Sequence, residues 1–392
     1  MLPLKGTTVV ALEQAVAAPF ATRQLADLGA RVIKIERPGT GDFARRYDTT
    51  VNGMSSHFVW LNRSKQSLTL DVKRPEGQEV LRRLLAGSDV FIHNLAPGAV
   101  DRLGFSTAAL RQTYPRLIVC QVTGYGTDGP YADRKAYDLL VQSETGLLSI
   151  TGTPETPSKV GISVADIAAG MYAYSGVLTA LLTRAQTGQG AALEVSLFDA
   201  LAEWMGFPVY YSTYGGVEPP RTGPSHAAIA PYGPYVAGDG RTVYLAIQNE
   251  REWTRFCDVV LGLPDLAIDA RFASNSARVA QRSELDAILS ERFLAWPAEA
   301  LIARLDAAQI ANARQNTIRE FAEHPQLMAR GRWQTVGSPV GSIQALAPPV
   351  IMVGVEAVME PIPSVGEHTD DILREIGVDA RTVEEWKRAG IA

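Results

Sequence analysis

Cysteine is scarce: Cys120 and Cys257 are the only two among 392 residues, and they do not form a C-x-x-C pair. A disulfide framework and a thiolate zinc site are both excluded, and no metal is expected. Runs of like charge are missing too. The formal net charge is −5 and no block of five or six basic residues occurs, so the footprint of a nucleic-acid binder is absent. No run of about 18 apolar residues interrupts the chain, and no membrane span is expected. The opening residues 1–14 lack a basic segment followed by an apolar core and a small-residue cleavage site. The expected compartment is the cytoplasm. Strings for a P-loop, for G-x-S-x-G and for H-E-x-x-H are also absent.

What is present has an ordinary globular balance, with 46% hydrophobic and 20% charged residues. The length exceeds the roughly 250–300 residues that one core serves, so two domains are expected. Residues 7–12 read as a buried strand. Pro19 opens a helix through Phe20, Leu25 and Leu28 that stops at Gly29. Strand patterns recur at 31–36, 89–92 and 117–120, with helical patterns at 75–85 and 103–110 between them. This alternation predicts an α/β fold, a doubly wound parallel sheet with helices on its faces. Ligands of such sheets bind beyond the carboxyl ends of the strands, here residues 13–18, 37–42, 94–100 and 121–129. A long helix is expected from Asp166 to about Arg184. Residues 211–235, rich in Gly, Pro and Tyr, read as a linker or active-site loop. Residues 236–329 read as a smaller second domain, leaving 1–210 and 330–392 for the large one.

The string Gly124-Tyr125-Gly126-Thr127-Asp128-Gly129 has the G-x-G-x-x-G form. Pro130 follows, and residues 131–135 open no apolar helix, so the fingerprint lacks the helix that would meet a pyrophosphate. A glycine-rich surface loop is the better reading. Asp166, in Gly161-Ile162-Ser163-Val164-Ala165-Asp166-Ile167-Ala168-Ala169-Gly170, sits at a helix start, where an aspartate is commonly an N-cap. The same place suits a nucleophile, because the helix end favours an ionised carboxylate and small neighbours leave room for a substrate. Arg37, Arg45, Arg46, Lys65, Lys73, Arg102 and Lys135 fall in or near the strand-end loops. They are either solvated surface charges or a set facing phosphates and a carboxylate. His226, alone in its loop, reads first as a structural hydrogen-bonder.

Further features carry a resemblance. Residues 13–20 (EQAVAAPF) and 26–36 (ADLGARVIKIE) are similar to the opening of the family III CoA-transferases. So are Gly41-Asp42, residues 62–71 (NRSKQSLTLD), residues 94–98 (NLAPG), Gly124-Tyr125-Gly126 with Gly129-Pro130, and Gly366-Glu367-His368-Thr369 with Ile372-Leu373. The similarity runs in order along nearly the whole chain. It implies a large domain built from both chain ends, a smaller α+β domain inserted between them, and two subunits interlocked as a homodimer. No cofactor is implied beyond coenzyme A or acyl-CoA as substrate.

The resemblance also implies a mechanism, in which an aspartate takes up the acyl group and then CoA. Asp166 matches that aspartate. Arg37 would meet the nucleotide phosphates. Leu70, Asn94, Leu95, Ala99, Arg102 and Leu103 would line the CoA path, and Ala15 and Ala17 would approach it by backbone. Lys135 and Tyr137 would close the site beside Asp138. Val16 stands where formyl-CoA transferase has glutamine, and that enzyme's tetraglycine loop is missing, so formate and oxalate are not the expected substrates. Residues 221–235 look most like members handling C4 and C5 dicarboxylates: succinyl-CoA as donor, and mesaconate, itaconate or citramalate as acceptor. Shift of CoA within mesaconyl-CoA is an alternative. Arg45, Arg46 or His226 is the expected partner of the distal carboxylate. A second alternative is the α-methylacyl-CoA racemase branch, but that branch carries a His-Asp pair where this chain has Tyr137-Asp138, and a phenol is a poor base at neutral pH. A non-catalytic CoA-binding protein is a third, against which the intact aspartate motif speaks.

Overall fold

Runs such as Val9-Val10-Ala11, with no exposed surface at any of the three, form the centre of a sheet in the computed structural model, which describes residues 1–392. Six strands pair in parallel: β1 (Thr8–Leu12), β2 (Arg31–Glu36), β3 (Lys65–Thr69), β4 (Val90–His93), β5 (Ile118–Thr123) and β6 (Ala192–Ser196), in the order β3-β2-β1-β4-β5-β6. Strands buried on both faces need continuous apolar sequence. β2 carries the buried Lys34 and Glu36 among its apolar residues, while β1, β4 and β5 have such a run. β3 does not. Its sequence is Lys-Gln-Ser-Leu-Thr, yet Lys65 and Ser67 are buried. Hydropathy misses such a strand because its inward polar groups are paired inside the protein. The order reverses between β1 and β4, so the chain leaves these neighbouring strands in opposite directions and opens a crevice at their carboxyl ends.

One face of the sheet is covered by the helices Ala17–Asp27 and Val164–Thr187. Gly170 lets them approach closely: a Cβ there would lie 2.7 Å from the carbonyl oxygen of Ala17. Asp166 lies one helical turn before Gly170, on the same face, and is thereby delivered toward the loop after β1. The long helix has the length and composition of a membrane span, but its Ala165, Ala168, Ala169, Gly170 and Ala173 are buried in contact with the rest of this unit. The other face is packed by Leu81, Leu85, Leu110, Ile372 and Leu373. The last two come from the C-terminal helix Thr369–Glu375, so both chain ends build one unit.

That first compact unit comprises residues 1–146, 160–206 and 328–392; the second comprises 147–159 and 207–327. The boundaries differ from the sequence expectation in two places. Residues 147–159 join the second unit because the Arg221 guanidinium donates to the carbonyls of Ser149, Thr153 and Pro154, and Gly223 N–H donates to Gly152. Residues 211–235 belong to the second unit: they finish the helix Gly206–Gly215, run as loop over 216–231 and end in a strand. That unit has an antiparallel sheet of β7 (Tyr232–Val236), β8 (Thr242–Ala246) and β9 (Ala311–Arg314), over a core of Trp253, Phe256, Phe272, Leu285, Leu289 and Phe293. Cys120 is buried in the first core and Cys257 in the second.

Candidate active site

A cavity of about 1290 Å³ opens at the carboxyl ends of β1 to β5, entirely within the first unit. Ala15, Val16, Ala17, Arg37, Leu70, Asn94, Leu95, Ala99, Arg102, Leu103, Lys135, Tyr137, Asp138 and Asp166 all line it. These residues span more than 150 positions of sequence, and the crossover topology brings them to one crevice. Tyr47 and His57 line it as well, and sequence reasoning did not select them. They come from the connection between β2 and β3, Tyr47 just after the 3-10 turn Phe43–Arg46 and His57 in the short helix Ser56–Leu61, where a lone tyrosine and a lone histidine give no periodic signal.

Asp166 is not the N-cap that its position suggested. Ser163 is the N-cap residue, and Asp166 lies in the first helical turn. The free N–H of Ala165 is taken instead by Asp138, whose Oδ1 accepts it at 2.8 Å while its Oδ2 accepts Gln142 Nε2 at 2.7 Å. Asp138 therefore does the capping, and the Asp166 carboxylate stays free of protein hydrogen bonds. Burial, reinforced by the like charge of Asp138, pushes the Asp166 carboxyl up to about 7. Tyr47 feels the same charge. Burial, then the carboxylates of Asp42 and Asp166, push its phenol up to about 12, so it keeps its proton and remains a donor. A partly buried, basic, unpaired carboxylate at a helix start is equipped to attack an electrophilic carbonyl.

The loop beneath it is held by a buried ionic network. Lys65 Nζ meets Glu13 Oε1 at 2.7 Å, and Lys34 Nζ meets Asp42 Oδ2 at 2.8 Å and the Glu13 carbonyl at 3.4 Å. Arg45 forks onto Glu36 at 2.8 and 2.7 Å. Three cations thus face three carboxylates, and all the charges are compensated. Burial alone would lower the Lys34 pKa, but Asp42, Glu13 and Glu36 outweigh it and raise it. Burial would raise the Glu36 carboxyl, but the hydrogen bonds from Arg45 and the charge of Lys34 hold it near 2. Lys65 shows the opposite balance: burial, with Lys34 close by, brings it down to about 8 despite Glu13. Asp42 also accepts the N–H of Ala15 at 3.2 Å, and Ala15 is held at φ +62, in the left-handed region an alanine seldom enters. Lys34 and Asp42 fix the shape of the loop that faces Asp166.

Several expected ligands have other partners. Asn94 lines the cavity, but its amide is committed to the backbone: Oδ1 accepts Gln14 N–H at 2.9 Å and Nδ2 donates to the Gln14 carbonyl at 2.8 Å. Its role here is to pin the loop. Lys65 is buried in the network. Arg45 lies outside the cavity lining, stacked 3.6 Å over the Phe58 ring and bonded to Glu36 and the Pro363 carbonyl. Arg46 is exposed on the 3-10 turn Phe43–Arg46, also outside the lining. His226 belongs to the second unit, stacked on Tyr232 with its Nδ1 accepting the N–H of Ala228 at 3.1 Å. The G-x-G-x-x-G loop binds its own chain: Thr127 N–H and Oγ1 both donate to Glu194. Gly124 has a steric role, since a Cβ there would lie 2.2 Å from that of Ala136, so only glycine lets the Lys135–Tyr137 segment close along the cavity.

The family model described as CoA-transferase family III matches residues 4–369. A succinate–glutarate CoA-transferase of Agrobacterium fabrum is 34% identical over 390 residues, 97% of each chain. A succinyl-CoA–D-citramalate CoA-transferase of Chloroflexus aurantiacus is 33% identical over 333 residues, 84% of this chain and 82% of that one. The crystal structure of a CAIB/BAIF family protein from Brucella suis superposes with a TM-score of 0.85 at 35% identity, covering 95% of this chain and 99% of the other. A parallel sheet with its crevice lined at the strand ends, and full-length similarity to enzymes of one reaction class, lead to one conclusion: this chain belongs to CoA-transferase family III and is a CoA-transferase.

Proposed function

We propose that the enzyme moves CoA from succinyl-CoA, or another dicarboxyl-CoA, to a C4 or C5 dicarboxylic acid, with Asp166 as covalent relay. The observation that carries this reading is the free Asp166 carboxylate, raised to about 7, in a cavity large enough for an acyl-CoA. An Asp166 oxygen adds to the donor thioester carbonyl, the C–S bond breaks, and a mixed anhydride and CoA thiolate result. The thiolate then attacks the aspartyl carbonyl, releasing the donor acid as its carboxylate and leaving an aspartyl-CoA thioester. The acceptor carboxylate attacks that thioester, and the thiolate released attacks the acceptor's acyl carbon. Acyl-CoA forms and Asp166 is regenerated. Two acyl-transfer stages replace one difficult exchange.

Arg37, Lys73 and Arg102, at the ends of β2 and β3 and after β4, are the proposed phosphate contacts; Leu70, Leu95 and Leu103 are the apolar walls for pantetheine. The dicarboxylate preference is supported by the relatives named for glutarate and citramalate, both C5 diacids. A homodimer is part of the proposal. Met171, Tyr172, Leu182 and Trp204 in the first unit and Phe207, Tyr210 and Tyr214 in the second are large apolar side chains left exposed in a single chain. Assays with succinyl-CoA against glutarate, citramalate, mesaconate, itaconate and malate test the substrate class. At least one C5 diacid should exceed pentanoate in kcat/KM; a preference for pentanoate, formate or oxalate would reject it.

Attack requires the ionised form of Asp166. The ionised fraction grows as pH rises through about 7. The rate kcat/KM should therefore fall about tenfold per pH unit below that point and level off above it. A profile flat from pH 5 to 8 would contradict a rate-determining attack by this carboxylate.

A further inference from the structure

A dicarboxylic substrate brings a second carboxylate into the cavity, and the buried cations nearest the floor are not available to it. Lys34, Lys65 and Arg45 are paired with Asp42, Glu13 and Glu36. Of the cations lining the cavity, Arg134 stacks 3.6 Å over Tyr131 and lies 3.8 Å from Glu144. Lys135 is exposed. Arg37, Lys73 and Arg102 belong to the strand ends assigned above to the CoA phosphates.

His57 is different. It lies in the first turn of the helix Ser56–Leu61 and lines the cavity, and its Nδ1 is buried without a hydrogen-bond partner. The nearest ionic group is Asp48, whose Oδ2 lies 3.8 Å away. Asp48 is rigid: its carboxylate accepts Thr50 N–H and Oγ1 at 3.0 and 2.7 Å, and Ser56 N–H and Oγ at 3.0 and 2.7 Å. Those bonds hold it ionised, far below the usual carboxylate range. The fixed Asp48 carboxylate lies along the Nδ1 edge of the ring, and an imidazole N–H is a hydrogen-bond donor to a carboxylate. On its other side the His57 ring meets Tyr47 edge-on, with centroids 5.4 Å apart. Tyr47, Tyr137 and Asp166 line the cavity with it. The imidazole and its Tyr47 neighbour thus line the same cavity as the proposed nucleophile.

We infer that His57 recognises the distal carboxylate of the dicarboxylic substrate, with Asp48 orienting its imidazole and Tyr47 packed against the ring. The inference rests on the dicarboxylate reading above. It makes His57 a specificity-determining residue: the imidazole donates to the free carboxylate, and no bond is made or broken there.

The test compares glutarate with pentanoate as acceptors, which share a chain length and differ in the distal charge, in native enzyme and in His57→Phe, His57→Gln and Lys135→Ala variants. A charge-assisted hydrogen bond corresponds to a loss of roughly 10- to 100-fold. His57→Phe should lower kcat/KM for glutarate by that factor relative to pentanoate. His57→Gln, which keeps a donor, should recover part of it. Lys135→Ala should leave the glutarate-to-pentanoate ratio unchanged. Melting temperature and CoA affinity, read on each variant, separate a local effect from misfolding. An unchanged ratio in His57→Phe, an equal fall for both acceptors, or a ratio lost through Lys135→Ala would overturn the inference and leave the dicarboxylate reading standing. If native enzyme prefers none of the C5 diacids to pentanoate, both fall together.

Discussion

Asparagine at position 166 should lower turnover by about four to six orders of magnitude, the usual cost of removing a covalent nucleophile. The amide has the same shape, cannot attack a thioester and cannot carry CoA. The CoA contacts lie on other elements, so affinity for CoA should stay close to native. The loss should not come from unfolding, and the pKa shift gives that statement a sign. The folded protein raises the Asp166 carboxyl from 3.8 to about 7, so it binds this proton more tightly than the unfolded chain does. Stability from this group therefore declines as pH rises between those values and stays reduced above them. Asparagine has no such penalty. The variant should be more stable than native enzyme at pH 8 by on the order of 1–2 kcal/mol, allowing for partial solvent exposure, with the gap closing toward pH 4. Denaturant unfolding at the two pH values checks this. A variant that is both inactive and less stable at pH 8 would point to a structural role instead.

The second large effect concerns Lys34, which has no exposed surface. Replacing it by methionine keeps the volume and strands Asp42 and Glu13 inside the protein. Removing one partner of a buried ion pair typically costs about 3–5 kcal/mol. The same change frees the Asp42 carboxylate that holds Ala15 N–H, so kcat should fall as well. Adding Asp42→Asn removes the stranded charge while its amide oxygen still accepts from Ala15 and Ala44 N–H. The double variant should therefore be more stable than Lys34→Met alone. Strict additivity of the two single losses would show that the pair does not interact in the way its 2.8 Å contact implies.

The network also explains what was legible in the sequence. β1, β4 and β5 announce themselves by apolar runs and β2 by Val32, Ile33 and Ile35 on either side of its buried lysine, and the strand-end rule then points to the right loops. β3 does not, because its buried lysine and serine read as surface until their partners, Glu13 from the loop after β1 and Glu36 at the end of β2, are known. Arg45 illustrates the same limit. Its place in a strand-end loop suggested a carboxylate-binding role, and the carboxylate it meets is Glu36 of its own chain. Asp166 could be selected only through family resemblance. Local pattern assigned it to capping, and the residue that performs that task, Asp138, lies 27 positions before Ala165, whose N–H it accepts. Tyr47 and His57 carried no signal in sequence. Their place in the cavity depends on how the connection between β2 and β3 folds toward Asp166, more than 100 residues away.

The most direct measurement is covalent capture. Enzyme incubated with succinyl-CoA and quenched with hydroxylamine or borohydride is digested, and the peptide containing residue 166 is read by mass spectrometry. A hydroxamate or reduced alcohol at Asp166, formed only when donor is present, is the predicted result. An unmodified Asp166 under turnover conditions, or the same label appearing on another carboxylate, would contradict the account.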